Sequence, residues 1–144
     1  MKTFVKELMV KVGLRVPTLK MVAVKNGLVP KYESGKDLRQ VRADIRENKI
    51  LAPGSRHIIP TGFYVDVPKG WMLTIHPSPG CAIHKGLVPI MIPVAHEYRQ
   101  EVVVMLVNTS TKTEKIIPGE IIGQLALERA PKFYFERVTN LPKI

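Results

Sequence analysis

At 144 residues, 45% hydrophobic and 24% charged, the chain has the size and composition of one globular domain, able to bury roughly 70% of its unfolded surface. Its net charge of +10, from 22 Lys and Arg against 12 Asp and Glu, points to anionic partners. No apolar run approaches the ~20 residues that span a bilayer, Met1–Leu8 does not read as a signal peptide, and the single Cys81 excludes an internal disulfide, so a cytoplasmic location without membrane association is expected.

In chain order, residues 3–25 alternate apolar and basic residues around Pro17. Val10–Val12 and Met21–Lys25 read as short strands, although Phe4–Val12 is open to a helical turn or two, and Asn26-Gly27 is a turn signal. Lys31–Leu38 is polar with a central glycine and reads as a loop. Residues 39–49 carry Arg39, Arg42, Asp44, Arg46, Glu47 and Lys49, the pattern of a solvated strand edge or surface turn. Pro53-Gly54-Ser55 and Pro68-Lys69-Gly70 are turns bracketing an alternating Phe63–Val67 strand, and Trp71–Ile75 comes next. Glu101–Val107, Lys115–Ile117 and Ile121–Leu127 are further strands, with Pro118-Gly119 turning between the last two. Strands of five to seven residues, separated by Pro/Gly turns about every ten, predict an all-β barrel or sandwich with little helix. Asn140–Ile144 reads as a tail without structure of its own.

Between the strands lies Ile75–Leu87, a Pro- and Gly-rich turn carrying Ser, His and Lys. Such a turn presents backbone N–H groups and cations to an anion. Lys and Arg are otherwise scattered, and no recognition helix, stacking platform or basic block favours nucleic acid. A nucleotide or polyphosphate uses the same sign of charge with fewer residues. Cys81 reads as filling a small apolar slot, and no Cys/His set has zinc-ligand spacing, so no metal site is expected.

The ordered set Pro53–Gly62, Pro68–Trp71, Glu97–Val102, Asn108–Ser110, Pro118–Leu125 and Leu127–Arg129 resembles the deoxyuridine triphosphatase (dUTPase) family, in order and spacing, over about residues 30–130. The resemblance implies a distorted jelly-roll β-barrel over 28–138, an N-terminal extension over 1–27 packed on the barrel or an interface, and a short tail over 139–144. It also implies a homotrimer with sites at subunit boundaries. In the family a carboxylate acts as base on a water attacking the α-phosphate. Magnesium and cations hold the triphosphate, a β-hairpin reads uracil, a tyrosine packs on the sugar, and a Gly-rich tail closes over the nucleotide.

Several of these parts depart from the family here. Ser34–Leu38 stands for the first motif and keeps Asp37. The second, usually Pro-Arg-Ser-Gly, is Pro77-Ser78-Pro79-Gly80, leaving His76, Ser78, Gly80, His84 and Lys85 as candidate anion contacts. Counting back from Tyr98 puts Ala95 at the position of the catalytic aspartate, and alanine cannot take a proton. Glu97 lies ~6–7 Å further along a strand, on the same side, and is the candidate substitute together with Asp37. The uracil hairpin holds Ile90, Met91 and Ile92 where small residues are usual, either reshaping the base pocket or packing in the core or interface. The fourth motif keeps Gly119 and Gln124, and the Gly-rich tail is missing.

The leading expectation is therefore a homotrimer that binds a nucleotide or nucleotide-derived signal, such as a cyclic nucleotide, between subunits without cleaving it, using no cofactor. It would sequester or sense that ligand, and a viral setting would suit it. Three chains would together carry about +30, which suits a multi-phosphate ligand. The alternatives are an active, magnesium-dependent dUTP diphosphatase giving dUMP and pyrophosphate, and a dUTPase-derived module that binds a host protein.

Overall fold

The computed structural model describes residues 17–23, 30 and 39–144. The expected strand Val10–Val12, the Asn26-Gly27 turn and Asp37 lie outside the described residues.

Among the described residues the chain forms ten strands in four antiparallel sheets. β1 (Lys20–Ala23) heads the order, followed by β2 (Arg39–Arg42), β3 (Lys49–Leu51), β4 (Arg56–Pro60) and β5 (Phe63–Asp66). β6 (Trp71–His76), a π-helical turn at Gly80–His84, β7 (Leu87–Ile90), β8 (Val103–Asn108), β9 (Glu114–Ile116) and β10 (Ile121–Arg129) complete it. β1 pairs with β5, and β3 with β9. β10 lies between β2 and β6, and β8 lies between β4 and β7.

Alternation decides which side chains enter the core. In β8, Val104, Leu106 and Asn108 point inward while Val103, Met105 and Val107 stay nearer solvent. In β5, Phe63 and Val65 are buried and Tyr64 and Asp66 are exposed. Leu51, Ile59, Leu87, Leu106, Ile116 and Ile122 have no exposed surface and come from six different strands or their continuations, so one core joins the sheets. The charged run 39–49 splits: β2 buries Val41, residues 43–48 bend, and β3 begins at Lys49. It is therefore more than a solvated edge, because Val41 pairs with Gly123 and faces the core.

Two glycines permit close approach. Gly62 has φ 75°, and a Cβ there would sit 2.6 Å from Asp44 Oδ2. A Cβ on Gly123 would sit 2.6 Å from Ile75 Cγ2, so β10 lies against β6 only because this position is bare. No helix among the described residues is long and apolar enough to cross a membrane.

Buried polar groups bind the loops to the strands. Asn108 is fully buried; its Nδ2 donates to the carbonyls of Leu51 (2.9 Å) and Lys112 (2.8 Å), and its Oδ1 accepts from Ser110 N (3.0 Å) and Oγ (2.8 Å). Thr61 donates to the Val102 carbonyl at zero exposure. No buried side-chain nitrogen or oxygen among the described residues lacks a partner. Replacing Asn108 by alanine strands the Leu51 carbonyl and empties a packed site. We expect Asn108→Ala to cost about 2–4 kcal/mol of unfolding free energy by urea denaturation, whereas Ser110→Ala, at the half-exposed end of the network, should cost about 1 kcal/mol or less.

Candidate functional site

β10 aligns His76 and Gln124, which the sequence singles out separately, with Gln40. Gln124 pairs with Gln40 of β2 on one side and His76 of β6 on the other, so the three stand in one row across the sheet. Leu125, Leu127, Leu73 and Trp71 alternate with this row and face a cavity of about 520 Å³ on the opposite side.

His76 is held from two strands. Its Nε2 lies 2.9 Å from Thr74 Oγ1 and 3.1 Å from Glu128 Oε1, and Thr74 Oγ1 donates to the same carboxylate oxygen at 3.1 Å. Thr74 is buried, whereas the His76 and Glu128 side chains are 39% and 42% exposed. Thr74 and Glu128 were not among the expected site residues. The i, i+2 spacing of Thr74 and His76 signals a shared face, but the partnership with Glu128 depends on a strand register that spans 52 residues of sequence.

From His76 the chain runs through Pro77 into the second motif. Ser78 is buried and its carbonyl accepts from Ala82 N at 2.8 Å, opening the π-helical turn. Pro79 caps that turn with φ −53°, a position where its missing N–H is not needed. Gly80 has no contact tighter than 4.0 Å at the place of a Cβ, so it leaves open space beside Ser78. His84 is exposed at the end of the turn. Lys85 turns inward: its Nζ makes an ion pair with Glu120 and donates to the Lys115 carbonyl at 2.8 Å. Glu120 Oε2 in turn accepts from Ile117 N at 3.1 Å. The Lys85 cation is thus engaged within the chain, bracing the turn against the β9–β10 connection.

Cys81 is buried in that turn and donates Sγ–H to the Ile121 carbonyl at 3.1 Å. Burial pushes its thiol pKa up, the Glu120 charge adds to the rise, and Lys85 opposes it. A thiol so placed is neutral and structural.

The third-motif segment sits beyond β7. Val94 exchanges two backbone hydrogen bonds with Leu73, at 2.9 and 2.8 Å, which fixes Ala95 and its neighbours beside β6. Ala95 and Glu97 are exposed. His96 Nδ1 donates to the Val67 carbonyl at 2.5 Å, so this imidazole is tied to the barrel. Tyr98 donates Oη–H to the Glu101 carbonyl at 2.7 Å, with its ring half-buried against the core. Arg99 reaches Asp66 at 3.7 Å and the carbonyls of His96 and Tyr98. Ile90, Met91 and Ile92 are 43%, 48% and 58% exposed, so they do not pack in the core of this chain.

The structure therefore brings His76, Ser78, Gly80 and Gln124 together at one end of the β2–β10–β6 sheet. It puts Ile90–Ile92 at the end of a different sheet. Among the described residues no group of three or more His, Cys, Asp or Glu side chains is gathered to hold a metal ion.

A dUTPase family model matches residues 42–144. The chain is 36% identical over 116 residues to the deoxyuridine 5'-triphosphate nucleotidohydrolase of Fusobacterium nucleatum, covering 78% of this chain and 80% of that protein. The enzyme of the same name from Treponema denticola is 38% identical over 103 residues, covering 69% and 72%. Among solved structures, a mutant dUTPase from phage phi11 of S. aureus superposes with a TM-score of 0.75 at 15% identity, covering 88% of this chain and all of that one. The native EIAV dUTPase superposes with a TM-score of 0.72 at 16% identity, covering 88% and all of that chain. These superpositions carry the expected all-β barrel.

The environment of Cys81 gives a direct check on the turn. Iodoacetamide at pH 8 should leave native Cys81 unmodified over an hour and alkylate it fully in urea, as read by intact mass. Rapid native labelling would mean that the turn is open.

Proposed function

Since the chain belongs to the dUTPase family, we propose that it acts on dUTP, cleaving the α–β phosphoanhydride with water to give dUMP and pyrophosphate. The observation that carries this reading is the row His76–Gln124–Gln40 leading directly into Pro77–Gly80. The second motif follows directly from the β6 end of that row, and the fourth motif supplies Gln124 from β10. The relatives at 36% and 38% identity bear the name of that activity. A net charge of +10 favours capture of a triphosphate.

The phosphate-side residues stand on the β2–β10–β6 sheet, and the base-side residues Ile90–Ile92 stand at the end of the β4–β8–β7 sheet. We propose that a homotrimer joins the two halves across subunit boundaries, with the exposed Ile90, Met91 and Ile92 forming an apolar wall for the base. Among the contacts, Ser78, Gly80 and Gln124 serve the phosphates and Tyr98 the sugar. His84, exposed at the end of the π-helical turn, adds a phosphate contact from the rim.

One observation favours a second reading, in which the protein holds the nucleotide without cleaving it. Ala95 occupies the place of the family's carboxylate base, and a general base is worth ~10²–10⁴-fold in rate. The two readings part on a single assay. With dUTP and magnesium in the buffer, the hydrolytic reading expects stoichiometric pyrophosphate release, slow by enzymatic standards. Ala95→Asp should accelerate it, by up to ~10²–10⁴-fold. No release, with a non-hydrolysable dUTP analogue still binding in calorimetry, would establish the second reading. Neither release nor binding would remove both.

A further inference from the structure

With alanine at position 95, hydrolysis needs another group to take the proton of the attacking water. Resting on the hydrolytic reading above, we propose that His76 is that group, with Glu128 and Thr74 as its positioning residues. His76 Nε2 lies 3.1 Å from a Glu128 carboxylate oxygen. An ionised carboxylate has no hydrogen to give, so Nε2 carries the ring proton in the neutral imidazole. Thr74 Oγ1, 2.9 Å from the same nitrogen, directs its own hydrogen to Glu128 Oε1 or to the Ala126 carbonyl. The lone pair is thereby assigned to Nδ1, on a side chain 39% exposed. A carboxylate that fixes the tautomer of a histidine and steadies the imidazolium it becomes is the orienting logic of acid–histidine pairs in general.

Position supports the assignment. His76 immediately precedes Pro77–Gly80 and stands beside Gln124, where the phosphate side of the site is built. Other candidates are placed less well. His96 is committed to the Val67 carbonyl. Glu97 is exposed, and among the described residues no hydrogen bond orients it. Among the described residues, Glu128 of β10 is the charged group hydrogen-bonded to the His76 ring, and Gln124 and Gln40 in the same row are neutral.

In the step, water loses a proton to Nδ1 as its oxygen forms a bond to the α-phosphorus. The bridging α–β P–O bond breaks, and its electron pair leaves on pyrophosphate. The imidazolium then returns its proton to pyrophosphate or solvent, restoring the Nε2–H tautomer against Glu128.

The test is pyrophosphate release from dUTP by the full chain and by His76→Ala, His76→Gln, Glu128→Gln and the His76→Ala/Glu128→Gln pair, with melting temperatures recorded alongside. We expect kcat to fall ~10²–10⁴-fold in either His76 variant with KM little changed. Added imidazole should restore activity to His76→Ala but not to wild type, a rescue that loss of packing alone would not show. Glu128→Gln should lower kcat as well, and the double variant should be no worse than His76→Ala, because the pair acts as a unit. The proposal is overturned if either folded His76 variant keeps kcat within threefold, if imidazole restores nothing, or if Glu97→Gln alone abolishes turnover. If wild type itself releases no pyrophosphate while binding the dUTP analogue, the hydrolytic reading fails and takes this inference with it; active wild type with unaffected His76 variants removes the inference alone.

Discussion

The pairing of β10 along both its edges is the constraint on which the rest of the structure depends. It is nine residues long, bonded to β2 over Ile121–Leu125 and to β6 over Gln124–Arg129. That double pairing joins segments some 80 residues apart in sequence and sets Gln124 between Gln40 and His76. The register is strict because one face is core: Leu125 and Leu127 point inward, and a slip of one residue would turn them out and Gln124 in. Gly123 lets the sheet close, since any side chain there would meet Ile75. The irregularity between Ile121 and Gly123 falls where β2 bends away toward Ala43, whose backbone exchanges hydrogen bonds with Gly119 and Glu120.

The site inherits its rigidity from this sheet, and its apparent charge is reduced by the connection between β9 and β10. Lys85 read as a cation for a phosphate. Its partner Glu120 lies 35 residues on, and the pair holds the π-helical turn to the Pro118–Gly119 turn instead. The second motif and the residue before it therefore present a buried serine, an open glycine and an imidazole, with Lys85 engaged elsewhere. Tyr98 is likewise part structural: its hydroxyl donates to the Glu101 carbonyl and its half-buried ring packs against the core. His76, bonded to Glu128 of β10 and to Thr74, is the imidazole that this sheet holds in place.

Much of the fold was legible in the sequence because strands announce themselves by alternation and Pro/Gly punctuation. Phe63–Asp66, Trp71–His76 and Ile121–Arg129 appear within a residue or two of their expected bounds. The family was legible because framework pieces such as Pro53–Gly62 and Pro118–Leu125 keep their order and spacing. The charged run 39–49 misled in part: Val41 and Ala43 are buried and Ile45 packs on the core, but the charged residues interleaved with these three apolar positions mask the short alternation. The π-helical turn also went unread, since Pro79-Gly80 signals a loop and the apolar residues after it are too few to show a helical period. What no local pattern could supply was partnership. The bonds His76–Glu128, Lys85–Glu120 and His96–Val67 join residues 29 to 52 apart, the first through strand register and the other two through loops that the barrel brings together.

The central claim is that the phosphate side of a dUTPase-family site is built on the β10 sheet around His76 and Gln124. A crystal structure of the protein with the non-hydrolysable analogue α,β-imido-dUTP tests it most directly. The account predicts the triphosphate lying against His76, Gln124 and the Ser78–Gly80 backbone, with the α-phosphorus within reach of a water bonded to His76 Nδ1. A nucleotide seated elsewhere, with the His76–Gln124–Gln40 row facing only solvent, would contradict it.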